Sequence, residues 1–272
     1  MTLNEHKSRL KDLYVLVALL LAPAAALVSP TAQSSSRTSV AGAKEDLVAL
    51  AESLPGPPGF WDPLNLADQD WALGYAPYGV TAGNEATIGF LRHAEIKHGR
   101  VAMAAFLGFC AQSTPLVSGE HTFLPYSGYV AGCSPQVQWD NIPLAGKIQI
   151  FLLIGMLESY GEGARAAPGE YTHYMRGGQP GFYPPIKGKN AGQLVMNLYD
   201  PFGFGFREQA AEKRARGLKS EILNGRLAQI GIMGLLAESK VPGAVPPLAL
   251  FQDFPRYAGE VMAPFSHDFT NF

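Results

Sequence analysis

The sequence predicts an all-α membrane protein in which three helices cross the bilayer, the first and third crossed about a pseudo-two-fold axis and locked by reciprocal Glu–Arg pairs. Three observations lead to this fold class: a low content of charge, three long apolar segments, and a six-residue motif that occurs twice. Only 16% of the 272 residues are charged, whereas about a quarter are charged in an average soluble domain. The net charge of -2 offers no excess of Lys and Arg for binding phosphate, which argues against a nucleic-acid partner.

The first 41 residues read as a targeting presequence in two parts. A start that contains Lys and Arg precedes the apolar stretch LYVLVALLLAPAAALVSP, which has the layout of a signal peptide. The following TAQSSSRTSVAGAK is rich in Ser and Thr and has no acidic residue, as in an organelle transit peptide. We therefore expect a bipartite plastid-targeting presequence at 1–41 and a mature domain at 42–272. A secreted protein with a flexible linker is the alternative that these residues leave open.

Three segments of the mature chain are long enough, or nearly so, to cross a hydrocarbon core of about 30 Å at 1.5 Å per helical residue. We expect helices at about 84–112, 143–160 and 217–240. Pro143 can open the second helix, because the first turn does not need its missing N–H. Pro242 and Gly243 end the third.

The loops between these segments differ sharply in positive charge. Residues 111–142 contain no Lys or Arg, whereas residues 161–219 contain nine. Cationic loops stay on the side from which a membrane protein inserts. The distribution therefore places the second loop and the mature N-terminus on that side, with the first loop and the C-terminus across the membrane.

The repeated motif is EIKHGR, which begins at Glu95, and EILNGR, which begins at Glu221. The Glu and Arg of one copy are five residues apart, about 140° around a helix, so they diverge and cannot easily neutralise one another. An unpaired charge at membrane depth costs about 2.5–3.5 kcal/mol. If the two motif helices cross, Glu95 meets Arg226 while Glu221 meets Arg100, and each charge is paired.

His98 and Asn224 each follow the motif Glu by three residues, so each neighbours that Glu on the helix surface. Carboxylate, imidazole and amide groups can all donate to magnesium. A free Mg²⁺ or Ca²⁺ wants several oxygens that converge on one point, which this spacing does not provide. The magnesium of a chlorophyll, already held by four ring nitrogens, wants only one more ligand.

Two other interpretations of the motif remain. Glu95 and His98 fit the Glu-x-x-His pattern of a di-iron carboxylate oxidase, although the second copy has Asn in place of His and both copies carry an Arg. The other interpretation is that the Glu–Arg pairs only hold a membrane bundle together and that His98 is a satisfied core histidine.

At these residues the chain resembles the light-harvesting chlorophyll-binding superfamily, whose first and third membrane helices carry E-x-x-H-x-R and E-x-x-N-G-R. GFWDPLNLAD and YDPFGF are similar to the paired loops that precede those helices and cap carotenoid ends in the family. LRHAEIKHGRVAMAA, GKIQIFLLIGMLESYGE and NGRLAQIGIMGLLAESKVPG look most like the chlorophyll a/c antennae of algae with red-lineage plastids, dinoflagellates especially.

Carried onto this chain residue by residue, the resemblance implies chlorophyll magnesium ligands at Glu95, His98, Glu158, Glu221 and Asn224, with Gln149 and Glu238 as further candidates. It implies that Arg100 and Arg226 are the cross-pairing partners of the motif glutamates.

The resemblance also implies a function without catalysis. We expect a multi-pass light-harvesting antenna of the plastid thylakoid membrane, among thylakoid lipids, that binds chlorophyll a, chlorophyll c and carotenoids such as peridinin, fucoxanthin or diadinoxanthin. Its partners would be neighbouring antenna subunits and a photosystem core, I or II. The alternative from another functional class is a photoprotective relative that dissipates excitation, because the same ligands serve both roles.

Overall fold

α-Helices account for more than half of the residues that the structure describes. The computed structural model describes residues 41–53, 60, 62–63, 84–120, 125–189, 192–205, 210–248, 254–261, 263–265 and 268. Its helices are α1 (Ala41–Ser53), α2 (Asn84–Gln112), α3 (Pro115–Ser118), α4 (Pro135–Asn141), α5 (Leu144–Gly161) and α6 (Ala211–Lys240), with a 3₁₀ turn at Tyr174–Arg176. This part of the chain has no β-strand, only one isolated bridge, between Asn197 and Asp200. The expected presequence lies outside the described residues except for its last residue.

The observed bounds agree closely with expectation for α2 and α5 and less so for α6. Pro143 is the N-cap of α5 rather than its first residue. The third long helix begins at Ala211, six residues before the expected start at 217. The added stretch, AEKRAR, consists of strong helix formers, and Glu212 in the first turn suits the positive end of the helix dipole. Helices α1 and α4 were not expected from the apolar pattern.

Helices α2 and α6 form the most extensive contact between elements in the described chain. They approach most closely at two glycines. A Cβ built on Gly225 would lie 2.9 Å from the Cα of Gly99, and one built on Gly99 would lie 3.1 Å from the Cα of Gly225. Ala102 and Ala228, one turn later, are both buried. Small residues at a crossing let two backbones pack directly, as interfaces between membrane helices require.

Helix α5 approaches the backbones of the other described elements only sparsely. Its two ends are covered by loops: Lys147 is fully buried and pairs with Asp268 at 2.6 Å, and the ring of Tyr183 packs on Gly161. Its middle is bare, since Leu152, Leu153 and Ile154 keep between 48% and 54% of their surface exposed. The packing of the protein alone therefore leaves the apolar middle of α5 without a cover.

Taken singly, the described helices do not combine the length and apolar composition of a membrane span, whereas Pro135–Asn141 and Leu144–Gly161, which meet at a bend of 105°, do so as a pair.

Candidate functional site

The two copies of the repeated motif meet through a pair of reciprocal ion pairs. Nε of Arg226 on α6 donates to Oε1 of Glu95 on α2 at 2.6 Å, and Nε of Arg100 on α2 donates to Oε1 of Glu221 on α6 at 2.5 Å. Each charge is neutralised by the opposite helix and not within its own copy of the motif. The cross-pairing predicted from the repeat is confirmed.

The two ion pairs are not equivalent in their surroundings. The side chains of Arg100 and Glu221 are each 25% exposed, against 50% for Arg226 and 36% for Glu95. Arg100 also donates to the carbonyl of Gly181 at 2.9 Å and to the hydroxyl of Tyr199 at 3.1 Å. Its guanidinium lies 4.8 Å from the centre of the Tyr199 ring. The loop that precedes α6 thus reinforces one of the two pairs.

Each motif glutamate retains an oxygen that could bind a metal. The arginines occupy Oε1 of Glu95 and Oε1 of Glu221. Among the described residues, no donor contacts Oε2 of either carboxylate. The arginine therefore neutralises the charge while the other oxygen remains available as a single donor.

Local hydrogen bonds orient the neighbouring His98 and Asn224 in the same way. Nδ1 of His98 lies 2.7 Å from the carbonyl oxygen of Ala94. Because a carbonyl can only accept, Nδ1 carries the proton, and Nε2 keeps its lone pair on an exposed face. Nδ2 of Asn224 donates to the hydroxyl of Ser220 at 3.1 Å, which leaves the acceptor oxygen of the amide directed elsewhere. A hydrogen bond from one atom of a ligand side chain commonly fixes the orientation of the ligating atom.

Helix α5 carries two further candidates. Glu158 is exposed, and its Oε2 accepts a hydrogen bond from Nζ of Lys97 on α2. Gln149 is also exposed, and no described residue hydrogen-bonds its amide. At 1.5 Å per residue the two positions lie about 13 Å apart along the helix, so they would serve separate groups.

A polar cluster at the C-terminal end of α5 was not predicted from the sequence. Nε2 of His173 lies 2.8 Å from Oε2 of Glu162, and the hydroxyl of Tyr174 donates to Oε1 of the same carboxylate at 3.3 Å. Burial raises the pKa of Glu162, but the bond from His173 and the charge of Lys97 outweigh it and hold that pKa below its usual 4.5. Burial, reinforced by the charge of Glu162, raises the pKa of Tyr174 well above its usual value of 10. His93 stacks on Tyr174 at 3.9 Å between ring centres. Only the fold brings His93, which lies on α2, to the three residues near the end of α5.

Glu238 has a different environment from the other candidates. Its side chain has no exposed surface. One carboxylate oxygen accepts from the backbone N–H of Val245 at 2.9 Å, and the other accepts from Gly243 at 2.9 Å and Arg256 at 3.2 Å. A carboxylate enclosed in this way ties down the turn that follows α6 and has no outward oxygen. We therefore leave Glu238 out of the ligand set.

The described side chains do not form a cluster of three or more His, Cys, Asp or Glu that could hold a metal ion. The two glutamates that a dinuclear iron site would share are each paired with an arginine instead. What the site offers is a set of separate single donors on the three long helices. That donor set fits the magnesium of chlorophyll, which needs one axial ligand.

Comparison with known proteins bears on the same residues. The family model for chlorophyll a-b binding proteins matches residues 47–240, a range that contains both motifs and α5. Fucoxanthin-chlorophyll a-c binding protein B of Phaeodactylum tricornutum, described as chloroplastic, is 30% identical over 84% of this chain and 95% of its own length. A fucoxanthin-chlorophyll a-c binding protein of Trieres chinensis is 29% identical over 85% and 96%, and protein E of that name from Macrocystis pyrifera is 28% identical over 68% and 71%. With its paired motif helices and its match over most of its length, the chain belongs to the chlorophyll a-b binding protein family.

Proposed function

We propose that this protein is a light-harvesting antenna of the plastid thylakoid membrane. In this role it binds chlorophyll a, chlorophyll c and fucoxanthin-type carotenoids and transfers excitation energy to a photosystem core. Family membership supports the proposal. The relatives support it as well, since they are named as proteins that bind fucoxanthin and chlorophylls a and c.

One observation carries the proposal: the candidate donors are separate, at least partly exposed and free of net charge. Glu95 and Glu221 are each neutralised by an arginine through one oxygen, and the other oxygen has no described donor. In His98 and Asn224 a local hydrogen bond engages one nitrogen of the side chain. The atom that carries the lone pair, Nε2 of His98 or the amide oxygen of Asn224, is left available. A bare metal ion would need several such atoms at one point. A pigment whose metal already has four ligands needs only one.

The bare helix surfaces support the same proposal. Besides those in the middle of α5, large apolar side chains on the motif helices are also exposed. Among them are Leu107, which is 71% exposed, and Ile230, which is 74% exposed. In water such surfaces mark an interaction site. We infer that pigment rings, carotenoid chains and lipid cover them, and that pigment fills the space between α5 and the crossed pair.

In the proposed arrangement the side chains hold and orient the pigments. The axial ligands are Glu95, His98, Gln149, Glu158, Glu221 and Asn224. Bound chlorophylls supply the absorption and the transfer of excitation. The crossed helices keep the ligands at fixed separations, because the glycine contact and the two ion pairs allow only one register. No bond is made or broken by the protein.

We further propose that α2, α5 and α6 each cross the thylakoid membrane. Residues 161–219, with nine cations on the loop and the first turns of α6, would then face the stroma, and the loop without cations would face the lumen. The faces of the bundle exposed to lipid would meet neighbouring antenna subunits and the photosystem core.

The test is to refold the full chain with chlorophyll a, chlorophyll c and mixed carotenoids and to record the excitation spectrum of chlorophyll a emission. We expect bands of chlorophyll c and carotenoid in that spectrum, because ordered pigments transfer energy to chlorophyll a. Glu120, an exposed residue outside the proposed site, provides a control: Glu120→Gln should give the wild-type spectrum.

Two results would contradict the proposal. Absence of bound pigment after refolding would refute pigment binding. Bound pigments with a chlorophyll fluorescence lifetime far shorter than nanoseconds in the isolated protein would indicate a dissipative role instead of harvesting.

A further inference from the structure

The two copies of the motif differ in one charged residue. Aligned on Glu95 and Glu221, EIKHGR and EILNGR share Glu, Ile, Gly and Arg, and both have a polar residue in the fourth place. At the third place the first copy has Lys97 where the second has Leu223. The reciprocal ion pairs use only the shared Glu and Arg, so the crossing of the helices does not require Lys97.

Lys97 is directed away from the crossed pair and toward α5. Its Nζ donates to Oε2 of Glu158 and lies 3.6 Å from Oε1 of Glu162. Glu158 and Glu162 are four residues apart and therefore share one face of α5. Helix α5 has no counterpart in the repeat, which explains why only one copy of the motif carries the lysine.

Of the two carboxylates, Glu158 depends more on Lys97. Glu162 also accepts from Nε2 of His173 at 2.8 Å and from the hydroxyl of Tyr174 at 3.3 Å. Glu158 has no other described side-chain partner, and its Oε1 has none at all among the described residues. The geometry at Glu158 thus matches that at Glu95 and Glu221, where a cation occupies one oxygen and the other is left open.

We propose that Lys97 is a positioning residue that neutralises Glu158 and so allows its Oε1 to serve as the axial ligand of a chlorophyll held between α2 and α5. The inference rests on the proposed function. According to this inference, the chlorophyll that Glu158 of α5 ligates also depends on Lys97, a residue of α2. A carboxylate left without its counter-charge in apolar surroundings is strongly unfavourable, so that removing Lys97 removes the pigment although Glu158 is still present.

The experiment compares five forms of the full chain: wild type, Lys97→Met, Lys97→Arg, Glu158→Gln, and the double variant Lys97→Met/Glu158→Gln. Each is refolded with chlorophyll a and carotenoids. The measurements are chlorophylls bound per chain, the difference in chlorophyll red-band absorption from wild type, and helix content by far-ultraviolet circular dichroism. Lys187, an exposed loop lysine whose side chain has no described ion pair, is the control as Lys187→Met.

We expect Lys97→Met to lose about one chlorophyll per chain, with a matching loss in the red absorption band, and Lys97→Arg and Lys187→Met to keep the full number. Glu158→Gln should also keep it, because a neutral amide oxygen can ligate without a counter-charge. The double variant should regain what Lys97→Met loses. A salt bridge that only stabilises the fold would behave differently, since Glu158→Gln also breaks the bridge and would then lose pigment as Lys97→Met does.

Three results would overturn the inference: an unchanged chlorophyll number and spectrum in Lys97→Met, a double variant that loses as much as Lys97→Met, or a loss in Lys187→Met equal to that in Lys97→Met. If Lys97→Met does not fold, Glu158→Gln and the double variant decide together: full pigment in both supports the inference, and loss of pigment in either refutes it. A wild-type chain that binds no chlorophyll would instead refute the proposed function, so that the two failures are distinguishable.

Discussion

Removing one arginine from each ion pair in turn tests the crossing of α2 and α6. Arg226→Leu leaves Glu95 without its counter-charge, and Arg100→Leu leaves Glu221 without its own. An uncompensated charge at membrane depth costs about 2.5–3.5 kcal/mol. Because Arg226 is half exposed in the chain, we take the lower part of that range for it, about 2.5–3 kcal/mol.

Arg100→Leu should cost more, because Arg100 makes two further hydrogen bonds, to Gly181 and to Tyr199. Each contributes about 1 kcal/mol net. The two variants should therefore differ by about 2 kcal/mol, which corresponds to about a thirtyfold difference in the ratio of folded to unfolded protein.

The assay is unfolding of the refolded, pigmented protein, followed by loss of the visible circular dichroism of chlorophyll. Arg216→Leu is the matched control, since Arg216 is an exposed arginine of α6 outside the described ion pairs. We expect it to unfold like wild type. The double variant Glu95→Gln/Arg226→Leu should be more stable than Arg226→Leu alone, because no unpaired charge remains and the amide oxygen can still ligate.

Two outcomes would refute this reasoning. If Arg226→Leu assembles with wild-type stability and pigment number, the ion pair does not hold the crossing. If the double variant is no more stable than Arg226→Leu, the effect comes from lost packing and not from an uncompensated charge.

Three further predictions concern other parts of the molecule. His98→Ala should lose about one chlorophyll while far-ultraviolet circular dichroism shows intact helices; loss of two or more would contradict a single ligand. Gly225→Val should weaken assembly more than Gly231→Val, because a Cβ at 225 meets the Cα of Gly99 at 2.9 Å, whereas one at 231 meets the edge of a Phe ring at 3.0 Å that can shift; equal midpoints of thermal unfolding would count against the backbone contact. Asp268→Asn should destabilise the protein by about 3 kcal/mol, since it leaves buried Lys147 without a counter-charge, and adding Lys147→Met should restore much of that loss in the same unfolding assay.

The ion pairs of the central site could be predicted from the sequence because they come from a short motif that occurs twice. Within one helix Glu95 and Arg100 diverge, so that a second copy of the motif is required to neutralise them. The glycine before each arginine lies at the closest approach of the two helices, since only small residues let the backbones meet. These inferences depend on helix geometry and the cost of an unpaired charge, both of which are readable along the chain.

The neighbours of α5 could not be predicted in this way. Lys97 meets Glu158 across 61 residues, Lys147 meets Asp268 across 121, and no repeat or periodicity links either pair. Glu238 illustrates the same limit. Its position late in α6 suggested a ligand, but the turn at Gly243 and Val245 and the side chain of Arg256 enclose it. Sequence periodicity determines which residues share a helix face, whereas the partners of a charged side chain depend on how loops and helices distant in sequence pack together, because each charge is neutralised by whichever opposite charge the fold places within reach.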